Sequence, residues 1–267
     1  MHDRHGAIGV FDSGVGGLTV VRQLEARLPS ESVIYLGDTA RVPYGTKSPE
    51  TVIRYAESCA RLLLERDIKL LVVACNTASA FAIDALRERL DVPVLGVIDP
   101  GAQAAVRATQ RGRIGVIGTV GTIQSERYRD AIHDQNPDLV VFSQPCPLFV
   151  PLAEEGWLTG EVPESVATAY LGPLLAENID TLVLGCTHYP LLKDTIAKVA
   201  GDAVTLVDSA EETALVVEHS LDAMDLRCDR PLIPQFRFLV SDAPANFEKV
   251  GAHFLGHVMT EAEWVDV

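Results

Sequence analysis

Cysteine is scarce in this sequence, and its placement argues against the usual structural roles. The five cysteines are an odd number, and no two of them are separated by only two residues. Structural zinc sites normally include a closely spaced cysteine pair, and disulfide-stabilised domains use an even set. A disulfide framework and a structural zinc cluster are therefore disfavoured. We interpret Cys59, Cys146 and Cys228 as core residues and look for chemistry at the other two.

Aromatic residues and positive charge are also in short supply. Aromatics make up 6% of the chain, and 22 lysines and arginines face 37 aspartates and glutamates, which gives a formal net charge of −15. Few rings are left for stacking on bases, and the negative charge repels phosphate backbones and anionic lipids. We therefore expect neither a nucleic acid nor a membrane as a partner.

Long apolar runs are missing. No stretch approaches the roughly 18 apolar residues that suggest a membrane-spanning helix. The first residues, MHDRHGAIGVFDSG, contain no apolar run of signal-peptide length. A soluble, cytoplasmic protein is expected.

Several ligand-binding motifs are incomplete. DSGVGG at 12–17 begins like a GxGxxG phosphate loop, but Thr19 occupies the third glycine position. No GxxxxGK[ST] motif occurs, and HFLGH at 253–257 lacks the glutamate of HExxH. Nucleotide binding and metalloprotease chemistry are therefore disfavoured.

Short apolar segments alternate with helical stretches along the chain. Most of these segments are apolar throughout, as expected for strands covered on both faces of a parallel sheet. A helix is predicted over 49–66, with Ser48 as its N-cap and Pro49 at the first position. The predicted class is therefore α/β with parallel sheets. The predicted strands are 7–11, 33–36, 70–74, 94–97, 113–118, 139–142, 181–185 and 204–207.

The sequence contains an internal repeat. IGVFDSGVGG at 8–17 is echoed by IGVIGTVGT at 114–122, and LLVVACNTAS at 70–79 is echoed by TLVLGCTHYP at 181–190. The offsets are 106 residues (9 to 115) and 111 residues (75 to 186). Two matched pairs at nearly one offset predict a duplicated α/β unit.

Each repeat ends an apolar strand with a cysteine that polar residues follow. Ligands of open α/β sheets bind beyond the carboxyl ends of strands, so Cys75 and Cys186 are expected to approach one ligand from opposite sides. With an ordinary pKa of about 8.5, one thiolate can remove a proton while the other thiol delivers one. Asp12 and His188 are the charged neighbours that would tune them. Alternatively, Asp12 caps the helix after GVGG, and His188 caps a helix near Pro190.

Six segments in order resemble a known family. They are GVFDSGVGGLTV, YLGDTARVPYG, ACNTAS, VIGTVGTI, PLFVPLAEEG and LGCTHYP. The chain resembles the bacterial glutamate racemases, within the cofactor-independent aspartate/glutamate racemase superfamily, from about residue 7 to residue 209. The last fifty or so residues carry no motif that we can use.

The resemblance implies two similar parallel-sheet α/β domains related by a pseudo-twofold axis, with the active site between them. Residues 1–98 plus 209–267 would form the first domain and 99–208 the second. Glutamate would be the substrate, with no pyridoxal or other cofactor and no metal, and the chain would form a homodimer. D-Glutamate would supply peptidoglycan synthesis. The first motif begins close to Met1, so we do not expect the N-terminal extension that some members use for activation by a cell-wall precursor.

The resemblance also assigns roles to residues. Cys75 and Cys186 would be the two acid/base residues, with Asp12 beside Cys75 and with His188 and Glu154 around Cys186. Hydroxyls, amides and backbone N–H groups can bind two carboxylates and an ammonium without burying further charge. The expected substrate contacts are Asp12, Ser13, Tyr44, Gly45, Asn76, Thr77, Thr119, Thr122, Thr187 and His188.

Three other functions stay open at this point. An aspartate or other amino-acid racemase could use the same scaffold, because pocket shape sets the chain-length preference. A zinc-dependent hydrolase could hold its metal with Cys75, Cys186 and His188, although that spacing lacks the usual pairs. A binding protein without catalysis would hold glutamate and leave its configuration unchanged.

Overall fold

The computed structural model describes residues 3–229, 234–259 and 261–267. These residues form ten β strands, divided between two sheets in which every strand pair is parallel. The predicted α/β class is confirmed. The strands are β1 Ala7–Asp12, β2 Val33–Gly37, β3 Ile68–Val73, β4 Val94–Gly96, β5 Arg113–Gly118, β6 Val140–Pro145, β7 Thr181–Gly185, β8 Thr205–Asp208, β9 Phe236–Val240 and β10 Ala262–Trp264.

Helices connect the strands and cover the sheets. Ser48 caps the predicted helix as expected, accepting a hydrogen bond from the backbone N–H of Thr51 at 3.4 Å. Short 3₁₀ turns occupy Tyr44–Thr46 and Tyr189–Leu192. The α helices are α1 Leu18–Arg27, α2 Pro49–Leu64, α3 Asn76–Arg89, α4 Ile98–Ala108, α5 Val120–Gln124, α6 Arg127–His133, α7 Phe149–Glu154, α8 Glu161–Ala176, α9 Lys193–Ala200, α10 Ser209–Ala223 and α11 Pro244–Leu255.

The two sheets share one topology. Four neighbouring strands of the first sheet run in the order β2-β1-β3-β4, and the second sheet runs β6-β5-β7-β8. The echoed motifs lie on β1 and β5, and on β3 and β7, which are the paired central strands of each sheet. Both β3 and β7 are buried along their whole length, as their apolar sequences predict.

Part of the C-terminal segment extends the first sheet rather than the second. β9 pairs with β2, and β10 pairs with β9 at the edge. These two strands have no counterpart among our predicted strands. β9 begins with a half-buried Phe236 and an exposed Arg237, and β10 has only three residues. A strand near a sheet edge needs no continuous apolar run, so its sequence signal is weak.

A buried ion pair lies at the opposite end of the first sheet from the cysteines. Lys69 and Glu31 are 1% and 2% exposed, and Lys69 Nζ lies 2.5 Å from Glu31 Oε2. Lys69 also donates to the carbonyl oxygens of Arg4 and Leu226, and the N–H of Cys228 donates to Glu31. The pair therefore joins β3 to the chain that follows α10.

Within the described ranges, no helix is both long and apolar enough to cross a bilayer.

Candidate active site

One pocket lies where the carboxyl ends of the central strands of both sheets meet. In the first sheet β2 lies on one side of β1 and β3 on the other, and in the second sheet β6 and β7 flank β5 in the same way. This reversal of strand order opens a crevice at the carboxyl ends of the strands. Residues that follow β1, β3, β5 and β7 all line the pocket. The lining residues are Ser13, Val42, Pro43, Tyr44, Gly45, Cys75, Asn76, Thr77, Thr119, Val150, Cys186, Thr187 and His188.

Cys75 is a buried thiol at the start of α3. Its side chain is the N-cap of that helix, where Sγ accepts from the N–H of Ala78 at 3.5 Å. The thiol also donates to Ser13 Oγ at 3.7 Å. Burial raises the pKa of Cys75 to about 12, and the negative charge of Asp12 adds to the rise. Cys75 is therefore protonated near neutral pH and suited to donating a proton.

Cys186 also lines the pocket and has a different charged neighbour. His188 Nδ1 is 3.9 Å from Cys186 Sγ, and His188 Nε2 is 2.9 Å from Glu154 Oε1. Burial lowers the pKa of His188, but contacts with Cys186 and Glu154 outweigh burial and raise it to about 10. His188 is therefore a cation near neutral pH, placed to stabilise a thiolate at Cys186.

Glu154 lies outside the pocket. It ends α7, its side chain is 39% exposed, and it lines a neighbouring cleft rather than the pocket itself. The His188 ring is the link between this carboxylate and the pocket. The alternative interpretation of His188 as a helix cap is not supported. His188 precedes the Tyr189–Leu192 turn, but its side chain makes no capping hydrogen bond there.

Asp12 is completely buried behind the pocket wall. Its Oδ1 accepts from the N–H of Gly14 at 3.0 Å, and Thr187 Oγ1 donates to its Oδ2 at 3.5 Å. Burial raises the pKa of Asp12, and the charge of His188 opposes that rise. The N-cap of α1 is Gly17, so Asp12 does not cap that helix. Asp12 is not among the lining residues, and its hydrogen bond with Thr187 joins it to the pocket wall.

Three threonine hydroxyls form a cluster across the two units. Thr77 Oγ1 lies 2.9 Å from Thr119 Oγ1 and 3.2 Å from Thr122 Oγ1, and the last two are 3.0 Å apart. Thr119 is also the N-cap of α5 and accepts from the N–H of Thr122. Thr122 is buried behind the other two and does not line the pocket. The cluster offers hydroxyl donors to an anionic group.

Tyr44 and Gly45 present a turn to the pocket rather than a free phenol. The Tyr44 hydroxyl donates to the buried carboxylate of Asp38, which holds the ring in place. Gly45 lies directly against Thr119, since a Cβ at Gly45 would lie 2.7 Å from the Thr119 Cβ. A larger residue at position 45 would push the two units apart.

Asn76 carries an amide donor that has no partner in the described part of the chain. Its side chain is 2% exposed, and its Nδ2 makes no hydrogen bond to any described residue. A buried polar group without a partner is rare in folded proteins and usually indicates a bound ligand or water. Because Asn76 lines the pocket, Nδ2 is suited to bind a carboxylate there.

The glycines of DSGVGG have a role that the phosphate-loop comparison missed. A Cβ at Gly16 would lie 2.2 Å from Thr187 Oγ1 and 2.5 Å from His188 Nδ1. Thr19, which breaks GxGxxG, has its hydroxyl 3.1 Å from the carbonyl oxygen of Thr187. These residues therefore allow the first unit to contact the Cys186 loop closely.

Three residues that line the pocket were not predicted from the sequence, although they lie inside the motifs that carry the resemblance. They are Val42, Pro43 and Val150.

The zinc alternative lacks a ligand set in the described part of the chain. No three His, Cys, Asp or Glu side chains among residues 3–229, 234–259 and 261–267 are grouped so that they could hold a metal ion. Cys75, Cys186 and His188 share a pocket but do not form such a group.

Comparison with known proteins settles the family. Residues 16–217 match the family model of Asp/Glu/hydantoin racemases. The chain belongs to this family. It is 58% identical over 252 residues to the glutamate racemase of Geobacter metallireducens, which covers 94% of this chain and 93% of that protein. The resemblance found in the sequence is confirmed.

Solved structures of glutamate racemases have the same fold. The enzyme of Francisella tularensis in complex with D-glutamate superposes with a TM-score of 0.92 at 41% identity, covering 98% of each chain. The Escherichia coli enzyme in complex with L-glutamate and the activator UDP-MurNAc-ala superposes with a TM-score of 0.81 at 30% identity, covering 98% of each chain.

Proposed function

We propose that this protein is a glutamate racemase that interconverts L- and D-glutamate by proton transfer between two thiols. Its many close relatives are glutamate racemases, and one of them binds D-glutamate in a fold of the same shape. The observation that carries the proposal is the meeting of Cys75 and Cys186, from matching strand ends of two repeated units, in one pocket.

The mechanism uses the different surroundings of the two thiols. With L-glutamate bound, a Cys186 thiolate beside the His188 cation removes the α-proton, and the protonated Cys75 donates a proton to the other face of the α-carbon. Thr77, Thr119 and the free Nδ2 of Asn76 supply donors for the substrate carboxylates and for the charge that develops on deprotonation. Both steps are proton transfers, so this scheme needs no cofactor.

Several finer features are part of the same proposal. Asp12 would orient the Cys75 side, Glu154 would support His188, and Ser13, Tyr44, Gly45, Thr122 and Thr187 would shape or line the substrate site. Glutamate would be the substrate, as the names of the relatives suggest. The enzyme would act as a cytoplasmic homodimer that supplies D-glutamate for peptidoglycan. Its domains would be 1–98 plus 209–267 and 99–208.

Racemisation in heavy water tests the two-thiol mechanism. The enzyme is given L-glutamate without added cofactor, and the reaction is stopped at low conversion. Cys186 removes the substrate proton, whereas Cys75 delivers a deuteron that it has exchanged with solvent. The D-glutamate formed is expected to carry deuterium at Cα, while the recovered L-glutamate stays mostly protiated. Mass spectrometry of the separated enantiomers measures both.

Three other outcomes would count against the proposal in different ways. Substantial protium at Cα of the early D-product indicates a single base that reaches both faces, and contradicts the two-thiol mechanism. Racemisation of aspartate but not of glutamate changes the substrate. Binding of glutamate without any change in configuration indicates a binding protein.

Replacing His188 is expected to slow the two directions unequally. Of the two pocket cysteines, His188 has a hydrogen-bond contact with Cys186, and the position that matches His188 in the other unit is Thr77. In His188→Asn, the initial turnover number for L-glutamate should fall more than that for D-glutamate. Because the equilibrium between enantiomers cannot change, kcat/KM must fall equally in both directions, and KM must compensate. Circular dichroism with each pure enantiomer measures these constants.

His257 provides a matched control for this variant. Its Nε2 lies 2.9 Å from Glu25 Oε2, the same distance as in the His188–Glu154 pair, but the pair is on the surface. His257→Asn is expected to leave both turnover numbers unchanged. Equal losses in the two directions for His188→Asn would show that His188 does not serve one side of the pocket.

A further inference from the structure

Tyr128 is a buried side chain that contacts both cysteine-bearing loops. It lies in α6 of the second unit and is 3% exposed. Its ring packs against the backbone of Gly185, the residue before Cys186, where a Cβ would lie 3.0 Å from the ring. Its hydroxyl reaches Asn76, the residue after Cys75, at 2.7 Å. One side chain of the second unit therefore spans the distance between the two halves of the pocket.

The hydrogen bond has a defined direction. The Tyr128 hydroxyl donates to Asn76 Oδ1, so the carbonyl side of the amide is occupied. Burial raises the pKa of Tyr128, which keeps the hydroxyl protonated and able to donate. The amide group is planar, so once Oδ1 is held, Nδ2 is held on the other side. That Nδ2 is the buried donor without a partner among the described residues.

Two glycines, Gly101 and Gly185, leave room for the Tyr128 side chain. A Cβ at Gly101 in α4 would lie 3.2 Å from the Tyr128 hydroxyl oxygen and 3.4 Å from the Cβ of Ser209. Gly185 leaves room on the other side of the ring. The hydroxyl therefore reaches Asn76 through a gap between α4, the start of α10 and the Cys186 loop.

We propose that Tyr128 is a positioning residue for substrate binding: its hydroxyl fixes the Asn76 amide so that Nδ2, and not Oδ1, faces a substrate carboxylate. This inference rests on the proposed function, because glutamate supplies the carboxylate. Without the hydroxyl, the amide is free to turn by half a rotation, which places a carbonyl oxygen against the anion. A residue that only fills space between the units would act through its ring alone.

The test compares four enzymes with both enantiomers as substrates: wild type, Tyr128→Phe, Asn76→Ala and the double variant. Tyr128→Phe keeps the ring and removes only the hydroxyl. KM is expected to rise about tenfold for L- and D-glutamate alike, as expected for a lost hydrogen bond to a charged group. The turnover numbers should change by less than about threefold. The double variant should be no worse than Asn76→Ala, because both single changes remove the same contact.

Tyr189→Phe is the matched control. Tyr189 is fully buried, and its hydroxyl donates to a backbone carbonyl, that of Cys146, at 2.9 Å. Removing the Tyr189 hydroxyl breaks a comparable buried hydrogen bond, but neither partner of that bond lines the pocket. Tyr189→Phe is expected to lower the thermal midpoint to a similar extent as Tyr128→Phe and to leave KM within about twofold of wild type.

The outcomes separate this inference from the proposed function. A wild-type enzyme that does not racemise glutamate contradicts the proposed function; calorimetric binding of glutamate to wild type and Tyr128→Phe then still tests the role of Tyr128. If the wild type is active but KM is unchanged in Tyr128→Phe, the proposed role of Tyr128 is wrong and the proposed function stands. The same holds if the KM increases of the two single variants multiply in the double variant.

A second variant decides the question if Tyr128→Phe does not fold. Asn76→Asp keeps an acceptor for Tyr128 and replaces only the donor that faces the pocket with an anionic oxygen. Its KM should rise more than that of Asn76→Ala, because the carboxylate then repels the substrate carboxylate. A smaller rise than in Asn76→Ala would overturn the proposed orientation of the amide.

Discussion

Replacing either Cys75 or Cys186 by alanine is expected to lower kcat for racemisation by about 10²- to 10⁴-fold, with the fold intact. Each direction of the reaction needs one thiol as base and the other as acid, so neither can substitute for its partner. Both side chains are small and buried, and alanine fits the space that they leave. Turnover by circular dichroism and thermal unfolding of the same samples measure the two parts of this expectation.

Cys228→Ala controls for the loss of a thiol as such. Cys228 lies near His5, with its Sγ 3.9 Å from the ring, and is not among the residues that line the pocket. Its link to Glu31 runs through the backbone N–H, which alanine retains. This variant should racemise glutamate at the wild-type rate. Near-normal turnover by Cys75→Ala or Cys186→Ala would exclude the two-thiol mechanism.

The largest expected effect on stability comes from Lys69. Lys69→Met leaves the carboxylate of Glu31 buried with only the N–H of Cys228 as a described partner, which should lower the free energy of unfolding by about 3–5 kcal/mol. Urea unfolding followed by far-ultraviolet circular dichroism measures the change. The pair lies away from the pocket, so the folded fraction should keep its KM for glutamate.

Two further variants identify the cause of the stability loss in Lys69→Met. Lys69→Met combined with Glu31→Gln removes both charges and should recover much of the lost stability, because the penalty arises from one unpaired charge. Arg237→Met breaks an exposed pair with Glu263 in the same sheet and should cost less than about 1 kcal/mol. A loss of less than about 1 kcal/mol for Lys69→Met would show that Glu31 finds other compensation.

The strands of the repeated units were predictable because each is a short run of apolar residues between turn signals. All eight predicted strands are present, and β5 and β7 have the predicted limits. The errors concern the ends of strands and the strands at the edge of the first sheet. β6 begins at Val140 and reaches Pro145, beyond the predicted 139–142, because partly exposed strands of this kind do not end where the apolar run ends. β9 and β10 were missed for the related reason that they lie at or near the edge of the sheet.

The pocket was predictable only in part. The internal repeat and the resemblance together identified ten of the lining residues, since each lies in a quoted motif and most follow a strand end closely. The resemblance also placed Asp12 near Cys75 and His188 and Glu154 near Cys186, but neither signal gave the hydrogen bonds that join these residues. Asp12, Thr122 and Glu154 lie behind the pocket wall or beside it, and hydrogen bonds join them to Thr187, the other threonines and His188. The pKa of Cys75, raised by burial and by Asp12, and the pKa of His188, raised by Cys186 and Glu154, depend on these contacts and on burial.

The sequence by itself determined the α/β class, the duplication and the two strand-end thiols, because apolar runs, turn residues and repeated motifs are local features of the chain. The tertiary structure decided what surrounds those thiols. Thr187 meets Asp12 across 175 residues and Tyr128 meets Asn76 across 52. Contacts at such separations leave no local pattern, since they depend on how the two units pack. That packing is what places one pocket, with two unlike sides, between two similar halves.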